Sequence, residues 1–239
     1  MKNTVEIKRN KKTAITAGVL FIIATVASIA SLPFLAPINA SNYLASVSQN
    51  ENQVITGILL TLIAAFASAS IAISLYPVLK KHSQSLALGA VGFRLIEAVF
   101  YIVGIIGIVL LLSLSQEFVK AGATSSSYFQ TLGVILLSGY HWAGNVAATL
   151  AFYLGAMMYY YLFYRTKLIP RWLSWWGLVA VSLGIVASML VMFQVVGSMS
   201  TVQVVLNLPI AVQEMVLAVW LIVKGFNSSA VASTSADQT

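Results

Sequence analysis

The stretch ALGAVGFRLIEAVFYIVGIIGIVLLLS, Ala87 to Ser113, decides the fold. It exceeds the roughly 20 residues that cross a hydrocarbon core, and its only charges are Arg94 and Glu97. It is apolar all round, without the period-two alternation of a barrel strand. Hydrocarbon offers no water to backbone N–H and C=O groups, so a run of this kind spans as a helix.

Five further runs read the same way. With the first they cover approximately 13–36, 54–78, 87–113, 131–163, 173–197 and 203–223. The expectation is an all-α membrane protein with a six-helix transmembrane domain over 13–226. A basic tail, 1–12, precedes it, and a small polar tail, 227–239, follows it. That second tail, NSSAVASTSADQT, has too little apolar surface to order itself. The fourth run is longer than one crossing needs; it either tilts or begins as an interfacial stretch around Tyr128 to Leu137. The first has a basic region before it and ends near APINA, as a signal peptide would. The apolar run from Thr13 to Leu35 is nevertheless longer than a signal core of about 7–15 residues, so it is read as the first span.

The distribution of charge agrees. Charged residues make up 8% of the chain and hydrophobic ones 59%, against about a quarter charged in soluble domains. The surface is therefore solvated by lipid, and the bilayer is the expected partner. A net charge of +7 does not point to nucleic acid, because the basic residues are spread over short connections. Lys2, Lys8, Arg9, Lys11 and Lys12 precede the first span; Lys80, Lys81, Arg165, Lys167, Arg171 and Lys224 fall on the same side by topology. The opposite side holds Lys120 alone. The positive-inside rule then places both termini in the cytoplasm.

The connections are short. Pro37 to Gln53 reads as a polar external loop, and Ser115 to Gln130 as a second. Trp172, Trp175 and Trp176 follow Pro170 and fit headgroup anchors. Small residues recur every four positions at Ala64, Ser68, Ala72, at Ala147, Ala151, Gly155, and at Ala180, Gly184, Ser188. Such ridges let membrane helices approach closely.

Three charges remain inside the spans: Arg94, Glu97 and Glu214. Each costs a few kcal/mol or more in hydrocarbon, which makes them candidates for a working site. Arg94 and Glu97 share a helix face and can pair. Counting inward at 1.5 Å per residue puts both, and Glu214, near mid-membrane. Gln203, Asn207 and Glu214 fall on one side of the sixth span, and Pro209 frees a backbone carbonyl one turn earlier. One arginine against two glutamates leaves one negative charge. Either a proton or a bound cation balances it, or the cluster only locks helices together.

His141 and Asn145, four apart, form a secondary candidate toward the outer face. They read as an interfacial hydrogen-bonded pair or as a proton-entry point. Gln194 reads as an interface residue. No catalytic residues are assigned: there is no cysteine, no zinc-binding histidine pair, no phosphate loop and no nucleophile elbow. Nothing points to a metal or cofactor.

Three blocks, LYPVLKKHSQSLALGAVGFRLIEAV (Leu75 to Val99), IPRWLSWWGLV (Ile169 to Val179) and LPIAVQEMVLAVWLIVKGF (Leu208 to Phe226), resemble the signature blocks of a bacterial six-helix membrane family, domain of unknown function 4386. The resemblance implies a multi-pass protein of a prokaryotic cytoplasmic membrane. Its Gly-Phe-Arg-x-x-Glu element falls on Gly92, Phe93, Arg94 and Glu97, and the glutamate of its last block on Glu214. It carries no activity. Two functions are therefore weighed: binding or transport of a small solute or cation, with proton or cation linkage through the cluster, and a non-catalytic structural or assembly subunit. A membrane enzyme ranks behind both, since it needs a histidine near a water-accessible glutamate.

Overall fold

The computed structural model describes residues 2–123, 127–198 and 200–227, with side chains from Arg9 onward at the N-terminal end. Its helices are α1 (Lys2–Phe34), α2 (Tyr43–Gln49), α3 (Glu51–Leu79), α4 (Gln84–Lys120), α5 (Ser127–His141), α6 (Thr149–Thr166), α7 (Arg171–Met192) and α8 (Thr201–Val223). A 3-10 turn, Ala36–Asn39, leads into α2. A π-helical segment, Trp142–Ala148, joins α5 to α6 without a break, so Ser127–Thr166 is one crossing. Six helical stretches are long and apolar enough to span a membrane.

The spans close a ring in the order α1, α3, α4, α6, α7, α8 and back to α1, with α5 set against α4. Close approach is achieved by small residues. A Cβ on Gly18 of α1 would lie 2.7 Å from the Ala218 carbonyl oxygen of α8, and one on Gly155 of α6 would lie 3.1 Å from Cγ of Arg94 on α4. The expected ridges pack: Ser68, Ala72, Ala151, Gly155, Ala180, Gly184 and Ser188 are buried. Side-chain hydroxyls close two helix starts, Ser83 accepting from Leu86 N–H and Ser200 from Gln203 N–H.

Two apolar clusters fill the ring unevenly. The larger, around Phe21, Leu75, Tyr159, Tyr160, Phe163 and Leu217, occupies the half nearest the basic connections. The smaller caps the opposite end with Leu35, Ile38, Leu44, Val47, Ile108 and Leu111. Between them lies a gap. The buried residues of α8 all lie from Ile210 onward, so its first turns, before Pro209, are less deeply packed than the rest.

Several boundaries differ from expectation. The segment read as a polar loop, Pro37 to Gln53, is largely helical. Leu44 and Val47, one turn apart, bury against α4, and Tyr43 Oη donates to the Gln130 carbonyl at 3.2 Å. Burial raises the Tyr43 phenol above its usual pKa. The second outer loop shrinks because α4 continues to Lys120, where Glu117 and Lys120 pair at 2.8 Å. At 1.5 Å per residue α4 is about 55 Å long, more than the core's thickness of about 30 Å. On the basic side, α1 begins at Lys2 inside the stretch assigned to a tail. Beyond Asn227, the tail expected to be disordered lies outside the described residues.

Candidate functional site

Arg94 and Glu97 project from α4 into the ring, 1% and 3% exposed. Nη1 of Arg94 lies 3.2 Å from Oε2 of Glu97, in ionic contact but outside hydrogen-bond geometry. Both groups reach across to α3. Ser68 Oγ donates to Glu97 Oε1 at 2.7 Å, and Arg94 Nε donates to the Ser68 carbonyl at 3.3 Å. The guanidinium lies 4.6 Å from the centre of the Phe152 ring on α6. Every one of these partners is neutral or opposite in charge, as a charge held in low dielectric requires.

Glu214 enters from α8. Its neighbours include the Tyr159 hydroxyl, yet Oε1 of Glu214 and the Tyr159 hydroxyl are both buried without a formed hydrogen bond. Arg94 is close enough to act on Glu214 electrostatically, but the contact-distance ion pair is with Glu97. The two glutamates are therefore unequal: Glu97 is matched and Glu214 is left over.

Arg94, Glu97, Asn207 and Glu214 all line one cavity of about 270 Å³, bounded by α1, α3, α4, α6 and α8. Most of its polar wall lies on the side away from the basic connections, with Thr25, Ser28, Ser31, Thr61 and Tyr101 above the charges. Ser28 and Ile29 on this wall are exposed, and the first turns of α8 are only partly buried, so the cavity is least covered between α1 and α8. A polar space of this size holds several waters. That admits a small solute or a hydrated ion.

Gln203 does not join this wall. It sits in the first turn of α8, its N–H capped by Ser200. His141 and Asn145 bond to each other at 3.1 Å, and His141 lines a different pocket, of about 220 Å³, with Trp142, Val191 and Gln194. One link connects the two regions: Thr149 lines the central cavity and donates through Oγ1 to the Asn145 carbonyl at 2.8 Å. Among the described residues no three His, Cys, Asp or Glu side chains come together as a metal site.

Sequence reading missed a polar ladder behind the cavity. Tyr153 of α6 crosses Gly184 of α7 to donate to Asn207 Oδ1 on α8; Tyr160, two turns on, crosses Gly177 to donate to Gln213 Oε1. Gln213 in turn donates to the Leu173 carbonyl at 3.1 Å. Thr149 and Ser188 meet at 3.1 Å in the same antiparallel register. The seven-residue spacing of Tyr153 and Tyr160, matched by Gly177 and Gly184, is the signal that would have found it.

A ring of six apolar helices with a polar interior defines a multi-pass membrane protein built on a helix bundle. Within that class, the family described as Domain of unknown function (DUF4386) matches residues 16–225. The chain belongs to this family. No curated protein and no solved structure matches it.

Proposed function

We propose that the protein binds, and moves across the membrane, a small solute bearing a positive charge, with Glu214 as its counter-ion and proton exchange on that carboxyl as the coupling step. In this reading the basic connections face the cytoplasm of a prokaryotic cell, and the cavity mouth opens on the far side. The observation that carries it is Glu214 Oε1: buried, without a hydrogen-bond partner, on the wall of a polar cavity. A buried carboxyl oxygen without a partner is costly to retain, and the contact-distance ion pair of Arg94 is with Glu97.

One observation favours a structural role for part of the cluster. Arg94 and Glu97 belong to one helix, pair ionically, and both hydrogen-bond to Ser68. That pair fixes α3 against α4; Glu214 is free of this duty.

The test uses purified protein in weakly buffered detergent, titrated with methylammonium, choline or sodium ions while released protons are recorded. A cation that displaces a proton from wild type and none from Glu214→Gln supports the reading. Identical release from the two proteins, both monodisperse and equally helical, refutes it.

A further inference from the structure

A third pocket lies at the end of the molecule that carries the basic connections. We propose that the concavity between the α6–α7 connection and the end of α8 holds the phosphate headgroup of an anionic membrane lipid. Its volume is about 650 Å³, and Lys167, Arg171 and Lys224 line it with Pro170, Trp220 and Phe226.

The sequence fixes these cations on a rigid frame. Lys167 ends α6 in the left-handed conformation, φ 58°, which turns the chain sharply. Leu168 and Ile169 then bury in the core and pin the connection. Pro170 opens α7, and the Asn227 N–H donates to the Leu168 carbonyl at 2.8 Å, tying the end of α8 to the same loop. Three positive side chains from three segments thus converge on one space.

Helix dipoles explain only two of them. Lys167 and Lys224 stand at helix C-terminal ends, where a cation is favoured. Arg171 is the first residue of α7, where the dipole opposes a cation, and Pro170 provides no side-chain cap. The Tyr164 ring, 5.5 Å from the guanidinium, holds Arg171 on one side without neutralising it. The described acidic side chains are Glu51 and Glu117 toward the opposite face and Glu97 and Glu214 in the interior, so none reaches this pocket. An anion at the start of α7 would meet helix amides, an arginine and two lysines together, which is the chemistry of phosphate recognition. The positive-inside bias accounts for basic residues on this face but does not require three of them around one cavity. Tryptophan supplies the depth: Trp220 lines the pocket, and Trp172 and Trp176 stack beside it with centroids 6.4 Å apart. Tryptophan collects at headgroup level, which favours a lipid over a soluble phosphate.

The experiment is native mass spectrometry of the full chain in detergent, titrated separately with phosphatidylglycerol, phosphatidylcholine and inorganic phosphate. Phosphatidylglycerol should be retained in preference to phosphatidylcholine. Lys167→Gln with Arg171→Gln should weaken that retention about 25-fold, or about fivefold per cation. Lys80→Gln with Lys81→Gln removes the same charge from the same face outside the pocket and should change it less than about twofold. Equal losses in the two variants, equal retention of the two lipids, or inorganic phosphate bound as tightly as phosphatidylglycerol would each overturn the proposal.

Discussion

Gly184→Ala tests the ladder that holds Asn207 on the cavity wall. A Cβ at Gly184 would fall inside contact distance of the Tyr153 ring and 2.7 Å from its hydroxyl oxygen. The ring is 3% exposed and bonded to Asn207, so it can retreat only toward the cavity and at the expense of that bond. Overpacking of this kind costs about 1–3 kcal/mol. Displacing the tyrosine also breaks its hydrogen bond to Asn207, worth about 1 kcal/mol. Against this, alanine is favoured over glycine in a helix by about 0.8–1 kcal/mol. The net expectation is a loss of about 1–3 kcal/mol, read from reversible unfolding in mixed sodium dodecyl sulfate micelles. Gly92→Ala is the control: its Cβ meets nothing within 4 Å, so only the favourable helix preference remains. The decisive measurement is a cycle with Tyr153→Leu. If the ring is the obstacle, Gly184→Ala costs little once the ring is gone. An equal cost in both backgrounds refutes the reasoning.

Three further outcomes follow from the same geometry. Ser68→Ala removes the hydroxyl that donates to Glu97 and should lower stability by about 1–3 kcal/mol, since a buried acceptor loses its bond; a shift within error shows that Glu97 is satisfied otherwise. Gln213→Leu strands the Tyr160 hydroxyl and removes a second bond to the Leu173 carbonyl, which keeps its helical partner, so about 1–3 kcal/mol is expected in the same assay, and Tyr160→Phe in that background should recover part of it. His82, in the turn between α3 and α4, has its pKa held below the ordinary 6.5 by burial and then by Lys81. Its contribution is therefore present above that value and lost as pH falls through the folded-state pKa. His82→Gln should lose less stability than wild type between pH 7.5 and 5, and equal pH dependence would refute the assignment.

Architecture was legible because solvent dictates it: a chain with all but three of its charges excluded from six long runs has few options in hydrocarbon. The convergence of Arg94, Glu97, Asn207 and Glu214 was legible in part, since depth and helical phase follow from residue counting. The division of labour among them was not. Spacing shows that Arg94 can pair with Glu97, but only packing shows that Ser68 on α3 holds both of them while Glu214 stays apart. The outer segment failed for another reason. Leu44 and Val47 are a single apolar pair among polar residues, too short a pattern to outweigh the composition around it, yet burial against α4 suffices to make it helical. Ring closure and the hollow half depend on tertiary contacts that no local period encodes.

The proline in α8 links these levels. Pro209 lies between Asn207 and Ile210, at the boundary where α8 passes from unburied to buried. It cannot donate a backbone hydrogen bond, which loosens the helix one turn back, where the cavity is widest in polar wall. Below it, Gln213 and Leu217 lock α8 to α6 and α7 through Tyr160 and the core. Above it, Asn207 is held chiefly by Tyr153. The helix is thus deeply buried at one end and more lightly buried at the other, beside the cavity. In the proposed function, closing that mouth over a bound cation requires α8 to move toward α1, with Pro209 as hinge and Glu214 just inside the fixed part. Pro209→Ala would then leave the Glu214 cation affinity intact while slowing exchange. If exchange and affinity both stay unchanged, the first turns of α8 are not a gate.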